Sequence, residues 1–161
     1  MTEIVPGRLV LGSFEESFDV AGVLQKYGVT HVLNVAEECE VTGGHRVGLE
    51  YRKYGMRDDD PTEDITDALA RCHAFMRDVL AERDAVVMVH CLEGVSRSAC
   101  VVAAHLSVVR GLTFDEAMDG LVKRLRLGVD PFPEYARQAR EFSATERLRR
   151  ASGKKSIRVR A

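Results

Sequence analysis

The chain of 161 residues has the size and composition of one globular domain, with 45% hydrophobic and 30% charged residues, which excludes whole-chain disorder. Its formal net charge of −2 is unevenly distributed, because residues 147–161 hold seven Lys and Arg and no acid, which leaves −9 on residues 1–146. Because residues 1–146 form an acidic domain, we expect no nucleic-acid binding by it. We expect residues 147–161 to form the end of a helix followed by a flexible basic tail.

The cysteine pattern and the N-terminal segment bear on metal binding and on cellular compartment. The four cysteines, Cys39, Cys72, Cys91 and Cys100, form no CxxC pair and lie at no zinc-finger spacing from a histidine. We therefore expect no metal, no other cofactor and no disulfide framework. The sequence shows no secretory signal and no apolar run long enough to span a membrane. It predicts a cytoplasmic protein, with a nuclear location also open, and no stable membrane insertion.

Predicted strands alternate with predicted helices in the first part of the chain. Residues 8–13 and 30–36 are expected to be short strands, joined by a helix over Phe18–Tyr27 that ends at Gly28. Residues 49–56 give a weaker, alternating strand pattern.

An amphipathic helix is predicted over residues 65–80, where apolar residues recur at helical spacing. Asp60, Pro61 and Glu63 fit the N-cap, N1 and N3 positions of a capping box before it. This pattern gives Asp60 a structural role.

The second half opens on the best strand of the sequence and continues with helices. We predict a strand over 85–91, a core helix from about Ser98 to Arg110, a helix opened by a capping box at 113–116, and a last helix from about Pro133. Alternating strands and helices indicate an α/β fold, with a central, mostly parallel sheet flanked by helices. In such sheets ligands bind beyond the carboxyl ends of the strands.

The stretch "HCLEGVSRS", residues 90–98, lies at such an end, between the best strand and the core helix. The backbone N–H groups of a tight strand-to-helix turn converge, and the helix adds its positive dipole end, which together suit a phosphate-sized anion. Gly94 allows close backbone approach, and Arg97 offers a planar fork for two phosphate oxygens. The same field favours a thiolate at Cys91, which makes this residue a nucleophile. The full string is expected by chance only on the order of 10⁻⁴ times.

These residues resemble the HCxxGxSRS loop of the dual-specificity phosphatases, within the cysteine-dependent protein tyrosine phosphatase superfamily. "RLVLGS", "GVTHVLNVAEE", "DDPTEDI" and "VDPFPEYARQAREF" resemble further family segments, so the similarity covers most of the chain. Two positions depart from the family pattern. Glu93 stands where the family often has a small residue, and Phe132 where it often has Asn.

The resemblance implies a role for each residue of the loop. Cys91 would be the nucleophile, Ser98 would offer its hydroxyl to Cys91, and His90 would orient the loop without acting as acid or base. The phosphoryl oxygens would be held by the Arg97 side chain and by the amides of Leu92, Glu93, Gly94, Val95, Ser96 and Arg97. A shallow pocket is implied, open to phosphoserine and phosphothreonine as well as phosphotyrosine.

A proton donor for the leaving group is expected within the triple Asp at residues 58–60. Asp59 lies 32 positions before Cys91 and fits the family spacing best, whereas counting from Tyr51 favours Asp58. We therefore predict Asp59 as the general acid, with Asp58 as the alternative.

The sequence thus predicts a metal-independent protein phosphatase, acting as a monomer on a phosphoprotein through a phosphocysteine intermediate. Two alternatives remain at this point. The substrate could be a phosphoinositide or an RNA 5′-phosphate, or the chain could be a phosphopeptide-binding pseudophosphatase.

Overall fold

A five-stranded sheet forms the centre of the molecule in the computed structural model, which describes residues 1–19, 24–40 and 49–153. The strands are β1 (Thr2–Val5), β2 (Leu9–Gly12), β3 (His31–Ala36), β4 (Glu50–Met56) and β5 (Val87–His90), in the order β1-β2-β5-β3-β4. Strands β2, β5, β3 and β4 are parallel to one another, and β1 is antiparallel to β2. The predicted α/β architecture with a mostly parallel sheet is confirmed.

The helices are α1 (Gln25–Tyr27), α2 (Thr66–Val79), α3 (Arg97–Arg110), α4 (Phe114–Ala117), α5 (Lys123–Leu125) and α6 (Pro133–Ala151), with a π-helical turn at Met118–Val122 and a 3₁₀ turn at Glu15–Phe18. The predicted left-handed stop at Gly28 is present, with φ of 66°. The capping box at Thr113 and Glu116 also forms, in both halves.

Two parts of the N-terminal prediction differ from the structure. Strand β1 was not predicted, because its four residues are too few to show an alternating pattern before Pro6 and Gly7. The helix expected over Phe18–Tyr27 is wrong at its start, since Phe18 ends a 3₁₀ turn; residues 20–23 lie outside the described residues.

The capping box predicted at Asp60 is also wrong, because α2 begins only at Thr66. The Oδ1 atom of Asp60 accepts hydrogen bonds from the backbone N–H and the hydroxyl of Thr62, at 2.8 and 2.6 Å, which closes a turn before the helix. The N–H of Ile65 is bound by the side chain of Gln138 from α6, at 2.8 Å. Oδ1 of Asp64 accepts from the N–H of Thr66 at 2.9 Å, so a different local carboxylate, together with this tertiary contact, takes the place of the predicted cap.

Helix α3 is the central helix of the core. Twelve of its 14 residues are buried, and it lies against the sheet and between α2 and α6. On the opposite face of the sheet, β2, β3 and β5 bury a smaller cluster that includes Val10, Val32 and Met88. Because β5 and α3 are both fully packed, the short segment between them is held at both ends.

The C-terminal helix α6 extends into the basic segment as far as Ala151. The flexible part predicted for that segment falls on residues 154–161, which lie outside the described residues. Within the described parts of the chain, no helix is long and apolar enough to cross a membrane.

Candidate active site

Cys91 follows the last residue of β5 and is almost fully buried, with 2% of its surface exposed. Its Sγ atom accepts a hydrogen bond from the backbone N–H of Gly94 at 3.3 Å and lies 3.2 Å from Oγ of Ser98. The sulfur is thus surrounded by two hydrogen-bonding groups of the same loop, as the string of residues 90–98 predicts.

The loop between β5 and α3 is fixed by hydrogen bonds from three neighbouring segments. The Leu92 carbonyl accepts from the N–H of Phe14 at 2.9 Å, and the Glu93 carbonyl accepts from Nη2 of Arg126 at 3.1 Å. The Val95 carbonyl accepts from the N–H of Asp130 at 3.1 Å, and Oγ of Ser96 accepts from the N–H of Phe132 at 3.0 Å. Each peptide unit is planar and trans, so a carbonyl that points outward turns the following N–H inward. The amides of Glu93, Gly94 and Ser96 therefore face the interior of the loop.

Gly94 is the position where the loop permits only glycine. Its φ is 77°, in the left-handed region, and a Cβ atom there would lie 2.6 Å from the carbonyl carbon of Gly12 and 2.8 Å from Nη2 of Arg126. The loop therefore packs directly on the end of β2, with no room for a side chain.

Arg97 begins α3 and is 2% exposed. Its guanidinium makes a bidentate pair with Glu38, at 2.7 and 2.6 Å, and contacts the Met56 carbonyl at 3.1 Å and Oδ1 of Asp58 at 2.9 Å. The hydrogen bonds from Arg97 hold the pKa of Glu38 below its ordinary value. The Nε atom of Arg97 is buried and has no hydrogen-bond partner in the described part of the chain, which leaves one donor of the fork available to a ligand.

His90 supports the loop from the end of β5. Its Nδ1 lies 3.0 Å from the Cys91 carbonyl, which can only accept, so Nδ1 carries the proton. The ring stacks on Phe14 with a centroid separation of 5.8 Å. Burial lowers the pKa of His90, which favours a neutral imidazole beside the sulfur.

The three aspartates of residues 58–60 have different surroundings. Asp58 is 62% exposed and contacts Arg97, while Asp60 closes the turn with Thr62. Asp59 is exposed and lies at the apex, with φ of 44°, the one left-handed residue other than glycine in the described chain. The structure thus brings Asp58 into contact with Arg97 and places Asp59 beside it on the same turn.

The two departures from the family pattern have clear positions. Glu93 is exposed, and its backbone carbonyl accepts a hydrogen bond from Arg126. Phe132 uses its backbone N–H to hold Ser96 and packs edge-on against Tyr135 at 5.2 Å. In both residues a backbone group takes part in holding the loop.

The remaining cysteines lie in the core. Burial raises the pKa of Cys39 and Cys72, and burial raises that of Cys100 to about 12, so these thiols are held in the neutral form. Among the described residues, no group of three or more side chains could hold a metal ion.

Three residues of the site escaped the sequence reasoning: Glu38, Arg126 and Tyr135. Glu38 had a usable signal, because it follows β3, the neighbour of β5, and the carboxyl ends of parallel strands meet at one edge of a sheet. Arg126 and Tyr135 lie in segments that are distant in sequence from the loop of residues 90–98. No local sequence pattern predicts that either residue belongs to the site.

Comparison with known proteins agrees with this geometry. The model of the family "Dual specificity phosphatase, catalytic domain" matches residues 9–145. The chain belongs to the dual specificity phosphatase family. It is 34% identical over 139 residues to mouse dual specificity protein phosphatase 19, covering 86% of this chain and 60% of that protein. It is 36% identical over 141 residues to human dual specificity protein phosphatase 2, covering 87% of this chain and 42% of that protein.

Among solved structures, the crystal structure of DUSP15 is similar with a TM-score of 0.81 at 26% identity, covering 94% of this chain and 93% of that chain. The chain spans less than two thirds of both curated relatives above, so the similarity concerns their catalytic domain.

Proposed function

We propose that this chain is a protein phosphatase that hydrolyses phosphotyrosine and phosphoserine or phosphothreonine through a phosphocysteine on Cys91. The observation that carries the proposal is the position of the Cys91 sulfur, 3.3 Å from the Gly94 amide and 3.2 Å from the Ser98 hydroxyl, in a loop that begins the helix of Arg97. Nucleophile and anion cradle are one continuous segment, so a phosphate bound by the loop lies in reach of the sulfur.

In the first step, the Cys91 thiolate attacks phosphorus, the bond to the leaving oxygen breaks, and Asp59 gives its proton to that oxygen. Asp59 is preferred to Asp58 because an oxygen of Asp58 is already paired with the Arg97 guanidinium. The amides of Leu92 to Arg97 and the free Nε of Arg97 hold the three nonbridging oxygens. The bound phosphate then replaces the Asp58 carboxylate at Nη2 of Arg97.

In the second step, Asp59 takes a proton from water, which attacks phosphorus and releases the Cys91 thiolate with inorganic phosphate. The Ser98 hydroxyl donates to the departing sulfur and stabilises its charge. No step needs a metal ion or another cofactor. All of these groups come from one chain, which suits a monomeric enzyme, and a reducing compartment such as the cytoplasm or nucleus would keep Cys91 reduced.

A chromogenic aryl phosphate tests the chemistry. We expect the wild type to turn it over and Cys91→Ser to abolish turnover, while Cys72→Ala, in the core of α2, retains it. Tight phosphopeptide binding without turnover by the wild type would favour a pseudophosphatase. Phosphopeptides and short-chain phosphoinositides compared at equal concentration test the substrate class, and faster hydrolysis of the lipid would overturn the protein assignment.

A further inference from the structure

Tyr135 of α6 is buried, with no exposed surface. Its hydroxyl is therefore enclosed within the protein. A buried hydroxyl needs hydrogen-bond partners, and its partners show what it does.

All partners of that hydroxyl belong to the segment that carries the aspartates. The oxygen lies 2.6 Å from Oε2 of Glu63 and 2.8 Å from the Arg57 carbonyl, both acceptors, and it accepts from the N–H of Asp60 at 3.4 Å. Arg57 immediately precedes Asp58, and Asp60 immediately follows Asp59. One hydroxyl group thus joins the residues on both sides of the Asp58–Asp59 pair.

Further contacts bind the same segment to itself and to α6. The N–H of Arg57 donates to Oε2 of Glu63 at 2.8 Å, and the Arg57 guanidinium pairs with Asp60 at 2.6 Å. Gln138, one turn after Tyr135, donates to the Glu63 carbonyl at 2.8 Å and accepts from Ile65. Burial, together with the hydrogen bond to Glu63, raises the pKa of Tyr135, which keeps the hydroxyl protonated and able to donate.

Asp59 requires this support because of its backbone. A non-glycine residue in the left-handed region costs of the order of 1 kcal/mol and persists only where its surroundings fix it. Tyr135 fixes both flanks of the turn at which Asp59 is the apex.

We propose that Tyr135 is a positioning residue, whose hydroxyl holds the Arg57–Asp60 turn so that Asp59 is directed at the leaving oxygen. This inference rests on the proposed phosphatase function and adds to it a residue whose hydroxyl is bound to the segment that carries the aspartates. Tyr135 affects the reaction only because it positions Asp59 to donate its proton to the leaving oxygen.

The leaving group of the substrate separates this role from a merely structural one. A nitro-substituted aryl phosphate scarcely needs a proton on its leaving oxygen, whereas unsubstituted phenyl phosphate needs one. The ratio kcat/KM covers only the steps up to phosphoryl transfer to Cys91, which is the step that the acid assists.

We expect Tyr135→Phe to lower kcat/KM on phenyl phosphate about tenfold and on the nitro-substituted substrate less than about twofold. Tyr27→Phe, on the opposite face of the sheet, should change neither value. In an Asp59→Asn background, Tyr135→Phe should add less than about a twofold further loss, because the two residues act as one unit. Amide hydrogen exchange over residues 57–63 should rise in Tyr135→Phe while that of α3 stays unchanged.

An equal loss on both substrates, or full additivity with Asp59→Asn, would overturn the positioning role. A wild type inactive on both substrates would instead overturn the proposed function, and it would do so before any variant is compared.

Discussion

The carboxylate of Glu38 holds the guanidinium of Arg97 in a bidentate pair, with N–O distances of 2.7 and 2.6 Å. Arg97 is buried, so its charge needs a compensating partner in the absence of a ligand. Glu38 occupies Nη1 and Nη2 from the side of β3, which leaves Nε unpaired among the described residues. The pair therefore fixes the orientation of the Arg97 guanidinium, while its Nε–H stays available to donate to a ligand.

Substitution of Glu38 tests this orientation. We expect Glu38→Gln to lower kcat/KM about tenfold and to weaken inhibition by inorganic phosphate by a similar factor, because a neutral amide holds the guanidinium less firmly. Steady-state kinetics and a phosphate inhibition constant measure both effects. Glu37→Gln, at the exposed neighbouring position, is the control and should be near neutral. Tighter phosphate binding in Glu38→Gln would mean that Glu38 competes with the ligand.

Gly94 should tolerate no side chain. Gly94→Ala places a Cβ against the backbone of Gly12 at a positive φ, so we expect about 2 kcal/mol or more of destabilisation, together with loss of activity. Gly120→Ala is the matched control, because a Cβ there meets no atom within 4 Å. Thermal unfolding of both variants measures the difference. Equal melting temperatures would contradict the close approach of the loop to β2.

The exposed carboxylate of Glu93 should affect phosphate binding only by electrostatic repulsion across solvent. We expect Glu93→Gln to tighten inhibition by inorganic phosphate at low salt by no more than about threefold, and the gain should vanish at high salt because screening removes it. Inhibition constants at two ionic strengths measure this, with Glu82→Gln as an exposed control. A gain of tenfold that survives high salt would place the carboxylate inside the binding pocket.

A buried histidine pair should make stability depend on pH. Nδ1 of His105 lies 3.1 Å from Nδ1 of His73, between α3 and α2, with Phe142 and Glu146 of α6 alongside. Burial, with smaller effects of His73, Arg150 and Arg77, lowers the pKa of His105 to about 3. His105 therefore takes up a proton near pH 6.5 in the unfolded chain but stays neutral in the folded chain at that pH. The free energy of unfolding consequently decreases as the pH drops from about 6.5 towards 3.

We expect the wild type to lose about 1–2 kcal/mol more than His105→Gln in free energy of unfolding between pH 7 and pH 5. Urea denaturation at the two pH values measures this difference. Parallel losses in both proteins would assign the pH dependence to other groups.

The sequence predicts the loop well because its determinants are local. A buried strand, a glycine and an apolar helix follow one another between residues 87 and 110, and each element supports the next. The cap at Thr113 and Glu116 forms for the same reason.

Predictions failed where distant segments compete for the same hydrogen-bonding groups. Asp60 and Glu63 match a capping box as a pattern, but the Tyr135 hydroxyl binds the Asp60 N–H and the Glu63 carboxylate that such a box would use. Glu38 and Asp58 become partners of Arg97 only when the sheet aligns the ends of β3, β4 and β5. Pairings of this kind depend on the packed fold, and the sequence indicates at most, as for Glu38, that a residue lies at the same edge of the sheet as the loop.

The burial of α3 has a consequence for inhibitor design. Its first twelve residues are enclosed by the core, so the side of the proposed phosphate site that α3 forms has a fixed shape. Residues 57–63, which carry the aspartates, are tied to α6 by the hydroxyl of Tyr135. We therefore expect the phosphate-mimicking group of an inhibitor to contribute affinity through the loop, and its contacts to residues 57–63 to offer a separate place to seek selectivity.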